Sequence, residues 1–145
     1  MKNYKLMAPG PVPLPQEVQE ALAHPMIHHR TPEFTKILAS VLKKLKLTFK
    51  TKQPVMMHTS TGSGAMESAL VNTLSHGDEI LCIISGKFGQ RFAEIGDAYG
   101  LTVHRLEVKP GHAVKPSAIE EVLQQKPNIK AVCCQHCETS TGTIH

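Results

Sequence analysis

Tryptophan is absent from this 145-residue chain, and two tyrosines and four phenylalanines are its only aromatic residues. Its core must therefore be built mainly from Leu, Ile, Val, Ala and Met. Long hydrophobic runs are missing too: the longest, Ile80 to Ile84, is far short of the roughly 20 residues that span a bilayer. The opening Met1-Lys2-Asn3-Tyr4-Lys5-Leu6 lacks the apolar stretch of a secretory signal. The expectation is a soluble, cytoplasmic protein. Strong charge of one sign is also missing. Sixteen Lys and Arg against twelve Asp and Glu give a formal net charge of +4, too mild to argue for a nucleic acid or a membrane as partner. Small anionic ligands remain. Cys82 stands alone while Cys133, Cys134 and Cys137 crowd together, which is no disulfide framework, so reduced thiols are expected. There is no internal repeat and no low-complexity tract.

What is present, 41% hydrophobic and 19% charged residues, excludes disordered and collagen-like classes. A chain of this size buries roughly 70% of its unfolded surface, enough for one ordinary domain. Residues 8–15, with four prolines and one glycine, read as an extended arm. Val18, Ala21 and Leu22 have the spacing of one helical face, so a short helix is expected over Gln16 to Ala23. A longer helix should start at Thr31 as N-cap, with Pro32 at the first helical position and Glu33 in the first turn. Phe34, Ile37, Leu38, Val41, Leu42 and Leu45 form its apolar stripe, and Lys43, Lys44, Lys46, Lys50 and Lys52 a solvated basic face.

From Pro54 short apolar runs alternate with helix-length segments, the pattern of a mostly parallel α/β sheet. Strands are expected at Val55–His58, Ile80–Ile84, Leu101–Val108 and Lys130–Gln135. Helices are expected at about 64–74, at 88–99 ending on Gly100, and from a capping box of Ser117 and Glu120 to about Gln125.

Thr59-Ser60-Thr61-Gly62-Ser63-Gly64-Ala65-Met66-Glu67 follows an expected strand and opens an expected helix. Small residues there let backbone N–H groups approach a ligand at an electropositive helix start, and the hydroxyls of Thr61 and Ser63 add donors. The pattern is neither G-x-G-x-x-G nor a Walker A loop, so a dinucleotide or nucleoside triphosphate is not favoured. It suits a phosphate group or, equally, an ordinary capped turn. Cys134-Gln-His-Cys137 offers zinc-type ligands, but no second ligand pair stands at suitable spacing, so no metal is expected. Cys133 and Cys134 fit a buried strand. His24, His28 and His29 suit a substrate or surface role better than a metal. Glu138-Thr139-Ser140-Thr141-Gly142 lies just past a strand's carboxyl end, where open α/β sheets bind ligands; a polar turn is the alternative.

Five blocks, in order, resemble the class V pyridoxal-phosphate (PLP) aminotransferases. They are Ala8-Pro-Gly-Pro11, Met26-Ile-His-His-Arg-Thr-Pro-Glu-Phe34, Thr61-Gly-Ser-Gly-Ala-Met-Glu67, Gly86-Lys-Phe-Gly-Gln-Arg91 and His136-Cys-Glu-Thr-Ser-Thr-Gly142. The similarity is strongest to the alanine-glyoxylate and serine-glyoxylate branch, which includes chains labelled as a soluble hydrogenase small subunit. The resemblance implies a fold-type I α/β domain and PLP as cofactor. It implies that Thr61, Gly62 and Ser63 hold the phosphate, that Phe88 stacks on the pyridine ring where close relatives often carry Trp, and that Thr139 bonds at the ring edge. Gly10, His29 and Arg30 would lie near the substrate, in some relatives reaching it from the neighbouring subunit, so a homodimer is implied.

The same resemblance implies an arm over residues 1–15, helices over 16–53 and an incomplete PLP-binding large domain over 54–145. The family's Schiff-base lysine and ring-nitrogen aspartate correspond to no residue here, so the chain is expected to be a truncated N-terminal part without catalytic residues of its own. At family level the implied reaction moves an amino group from alanine or serine to glyoxylate or pyruvate. A non-catalytic PLP-binding module and a structural remnant are the alternatives.

Overall fold

The computed structural model describes residues 5–145. Residues 1–4, part of the stretch compared above with a secretory signal and of the expected arm, lie outside the described residues. The chain divides into two compact units, the first running to His58 and the second from Thr59 to His145.

In the first unit, the proline-rich stretch up to Pro15 forms no helix or strand and is exposed, as four proline rings without N–H donors require. Helix α1 (Gln16–Ala23) follows. Helix α2 (Pro32–Thr48) starts as the sequence predicts: the Thr31 hydroxyl accepts the Phe34 N–H at 3.3 Å, with Pro32 in the first turn. Phe34, Leu38, Leu42 and Leu45 are half-buried along one face, while Lys43, Lys44, Lys50 and Lys52 are exposed. Lys46 departs from the expected solvated face. It is half-buried and donates to the Lys52 carbonyl at 3.3 Å, helping to close the turn after the helix. The strand expected at Val55–His58 does not form: residues 54–58 have no regular structure, and Met56 and Met57 are exposed. An apolar run becomes a strand only where another strand accepts its backbone hydrogen bonds.

The second unit is built on a three-stranded parallel sheet, in the order β2-β1-β3, formed by β1 (Glu79–Ile84), β2 (Thr102–Glu107) and β3 (Ile129–Cys133). The central strand is the continuous apolar run, and Ile80, Leu81, Cys82 and Ile83 are all at most 1% exposed. A run buried on both faces needs no alternation of apolar and polar residues. Each such Ile or Leu contributes about 1.5–3 kcal/mol relative to exposure. Helix α3 (Gly62–Val71) precedes β1, α4 (Lys87–Ala98) joins β1 to β2, and α5 (Pro116–Gln125) joins β2 to β3. Leu70, Ala93 and Leu101 pack with Ile80, Cys82, Ile84 and Cys133 as the core. Gly100 takes φ +69° after α4, the left-handed cap that its position in the sequence predicts.

Three local expectations are corrected. The Ser117–Glu120 capping box is not used: Pro116 occupies the first turn of α5, so the helix starts two residues early, with Lys115 as an N-cap that makes no side-chain bond. β3 ends at Cys133, leaving Cys134 exposed rather than inside a buried strand. Beyond it the chain folds into an antiparallel hairpin of β4 (Cys137–Glu138) and β5 (Thr143–Ile144), closed by Gly142 at φ +71°.

Candidate functional site

Chain direction puts the N-termini of α3, α4 and α5 at one edge of the sheet. Helices α3 and α4 pack on one another, and each runs into the start of a parallel strand, so both begin at the sheet's carboxyl edge. The chain leaves β1 toward β2 on one side and returns to β3 on the other. Between β1 and β3 the strand order thus reverses, and open α/β sheets bind ligands in the crevice there.

The starts of α3 and α4 are finished differently. At α4 every N–H of the first turn has a protein partner. The Ser140 hydroxyl accepts the Lys87 N–H at 2.9 Å, and Glu138 Oε2 accepts those of Phe88 and Gly89, both at 2.9 Å. The Gln90 N–H then reaches the Gly86 carbonyl at 3.1 Å. Glu138 Oε1 also accepts from the Ser140 hydroxyl at 2.5 Å and the Ser140 N–H at 3.3 Å. Burial, here complete, pushes the Glu138 carboxyl up, but the hydrogen bonds from Ser140, Gly89 and Phe88 outweigh it and hold the group below the usual glutamate range. A carboxylate already sits where an anionic ligand would bind, so α4 offers no anion site.

At α3 the opposite holds. Thr61, the N-cap, makes no side-chain capping bond, and Gly62 and Ser63, as first and second helical residues, have no intrahelical acceptor for their N–H groups. Among the described residues neither N–H finds a partner outside the helix. The Gly64 N–H turns back to the Thr61 carbonyl at 3.0 Å. A β-carbon on Gly62 would meet nothing within 4 Å, so the helix start is open on that side. Thr61 is exposed and Ser63 half-buried. This end of a ten-residue helix retains its partial positive charge and two unfilled donors, and a phosphate fits both.

The remaining predicted residues fall as follows. Phe88 sits at the second position of α4 and is 36% exposed. Thr139 is exposed between Glu138 and Ser140, the two residues that bond to the start of α4. The start of α4, which carries Phe88, and the turn that carries Thr139 are therefore neighbours, although the two residues are 51 positions apart in sequence. Gly10, His29 and Arg30 lie in the first unit and are exposed. The His28 and His29 rings stack with centroids 4.6 Å apart, and His28 Nδ1 accepts the Arg30 N–H at 3.1 Å. Sequence reasoning missed Glu138 as a functional residue. Its signal was the company it keeps, a glutamate beside hydroxyl residues just past a strand's carboxyl end.

Residues 16–145 match the model of the family described as Aminotransferase class-V. The chain belongs to the class V aminotransferases. It is 42% identical over 137 residues to an uncharacterized aminotransferase of Methanocaldococcus jannaschii, covering 94% of this chain and 36% of that protein. It is 41% identical over 143 residues to a soluble hydrogenase small subunit of a Synechococcus species, covering 97% of this chain and 37% of that one. The crystal structure of the ureidoglycine-glyoxylate aminotransferase of Bacillus subtilis superposes with a TM-score of 0.91 at 31% identity, over 100% of this chain and 38% of that chain. The chain thus spans little more than a third of the length of these relatives. Its α/β unit is the corresponding part of the aminotransferase fold.

Proposed function

We propose that this chain is the cofactor-holding N-terminal part of a PLP-dependent aminotransferase that acts between a small amino acid, alanine or serine, and a 2-oxo acid, glyoxylate or pyruvate. One observation carries the reading: of the two mutually packed helices that start at the sheet's carboxyl edge, α4 has its start filled by Glu138 and α3 has its start, at Gly62 and Ser63, open. The name of the Bacillus subtilis neighbour supports glyoxylate as acceptor. PLP, when bound, supplies an electron sink for carbanion chemistry at the amino acid's α-carbon. The chain's own residues would do the holding. The N–H groups of Gly62 and Ser63 and the hydroxyls of Thr61 and Ser63 would bind the phosphate, the Phe88 ring would cover one face of the pyridine, and the Thr139 hydroxyl would bond at its edge.

Gly10, His29 and Arg30 are assigned to the neighbourhood of the substrate. Homodimerisation, a cytoplasmic location and a division into arm (1–15), helices (16–53) and incomplete large domain (54–145) belong to the same reading. No lysine among these 145 residues resembles the one on which the family holds its cofactor, and none of its aspartates the partner of the ring nitrogen. A polypeptide of these residues alone is therefore assigned cofactor binding without catalysis.

The test is a titration with PLP beside pyridoxal, which lacks the phosphate. PLP should bind at one per chain and pyridoxal at least ten-fold more weakly, because the open helix start recognises the phosphate. Equal affinities would remove the role of α3. Supplied with PLP, alanine and glyoxylate, the 145-residue polypeptide should form no pyruvate and glycine above the rate of free PLP. Turnover well above that rate would overturn the assignment of catalysis to other residues.

A further inference from the structure

A helix is ordinarily capped by the residue at its own start, yet α4 is not. Its N-cap, Gly86, has no side chain, and a β-carbon there would stand 2.5 Å from Ser140 Oγ and 2.6 and 2.7 Å from Glu138 Cγ and Cδ. The local Ser, Thr or Asp cap is thus sterically excluded, and the cap comes instead from a segment about fifty positions away. An imported cap does something a local one cannot. It ties the helix start that carries Phe88 to the loop that carries Thr139. The Glu138 carboxylate has all four of its bonds directed at this junction, two to α4 and two to Ser140, whose hydroxyl in turn receives the Lys87 N–H. Its side chain is fully buried, and no buried side-chain polar atom among the described residues lacks a partner, so the network is complete.

We propose that Glu138 is a positioning residue for the cofactor ring: its single carboxylate fixes the first turn of α4 against the β4–β5 hairpin and so sets the spacing between Phe88, which would cover the face of the pyridine, and Thr139, which would bond at its edge. This rests on the PLP reading above. Glu138 itself touches no ligand. By satisfying the start of α4 it also leaves α3 as the one of these two helix starts that accepts a phosphate, so ring placement and phosphate binding are separate functions of separate helices.

That separation supplies the test, made on the 145-residue chain. Glu138→Gln keeps the shape but turns one acceptor oxygen into a donor that faces the donors of α4 or Ser140. It should weaken PLP binding about ten-fold, the effect of one lost hydrogen bond to a charged group. It should also reduce the induced circular dichroism of the bound chromophore, while affinity for inorganic phosphate, measured by calorimetry, stays within two-fold, roughly the error of such a comparison. A merely structural role would move phosphate and PLP together, and that result would overturn the proposal. So would unchanged PLP affinity with unchanged dichroism. If Glu138→Gln does not fold, Ser140→Ala decides: it removes only the hydroxyl link and should lower the dichroism without altering phosphate binding, and no change in dichroism would overturn the proposal. A wild-type chain that binds phosphate but not PLP would refute the cofactor reading itself, an outcome distinct from a variant that behaves like wild type.

Discussion

Gly89 lies so close to Ile83 that a β-carbon on the glycine would fall on the carbonyl oxygen of the isoleucine, and it would stand 3.0 Å from the Ile84 Cα. The start of α4 is thereby pressed directly onto the end of β1, with backbone on both sides of the contact. Backbone atoms of a central strand cannot swing aside as a side chain can. Gly89→Ala should therefore destabilise the fold by about 1–3 kcal/mol through overpacking, even though alanine gains up to roughly 1 kcal/mol over glycine within a helix. A lower urea midpoint with native far-UV dichroism below the transition checks this. An unchanged midpoint would mean that the helix can lift off the strand freely.

Gly62 gives the opposite expectation. Nothing lies within 4 Å of its missing β-carbon, so Gly62→Leu should change stability by no more than about 0.5 kcal/mol, as for other open surface positions. The added side chain would occupy the open side of the helix start. PLP affinity should fall at least ten-fold while far-UV dichroism and the urea midpoint stay native. Retained affinity would sink the assignment of the phosphate to this helix.

Legibility in the sequence followed the range of the interactions involved. The start of α2 was readable because Thr31, Pro32 and Phe34 are neighbours along the chain, and β1 because burial on both faces leaves a continuous apolar run. The run at Val55–His58 misled because strand formation depends on a partner that composition does not reveal. At Ser117 a local capping pattern was overridden by an adjacent proline. The phosphate-type loop at Thr61–Gly64 was visible as small residues, but nothing in the sequence could show that its N–H groups stay unfilled while those at Lys87–Gly89 are taken. That distinction depends on Glu138 meeting Phe88 across the fold.

Cys82 and Cys133 are register partners on adjacent parallel strands, both buried, whereas Cys134 and Cys137 are exposed. The hydrogen bond between the buried thiols, with burial, pushes Cys82 up far beyond reactive range, and burial also raises Cys134. With a thiol-specific chromogenic reagent, Cys134 and Cys137 should react in the native protein, Cys134 more slowly than a free cysteine. Cys82 and Cys133 should react only on unfolding. Among the described residues no group of three His, Cys, Asp or Glu side chains converges as metal ligands, so removing metal with a chelator should alter neither the thiol count nor the melting temperature. Stoichiometric zinc on Cys134 and Cys137 would overturn that expectation.

The pH dependence of stability should bear the mark of Glu138. Its carboxyl is held below the ordinary glutamate value of about 4.3 because burial is outweighed by the bonds from Ser140, Gly89 and Phe88. A carboxyl depressed on folding contributes stability that is fully present above its unfolded value and is lost as pH falls through the folded one. Asp78, bonded to Lys130 and the Ser75 N–H, and Glu79, bonded to His104, are depressed as well, so the wild-type protein should weaken on acidification whatever Glu138 does. The informative quantity is consequently the difference between wild type and Glu138→Gln, in which the contributions of Asp78 and Glu79 are common to both. Urea midpoints measured from neutral pH down into the acid range should show wild type more stable at neutrality. The gap should close as pH drops below the ordinary carboxylate range, because protonated Glu138 also presents one hydroxyl donor to a site that supplies only donors at Phe88 and Gly89. Parallel profiles at all pH values would mean that the charge on Glu138 does not stabilise the start of α4, leaving only its shape to account for the cap.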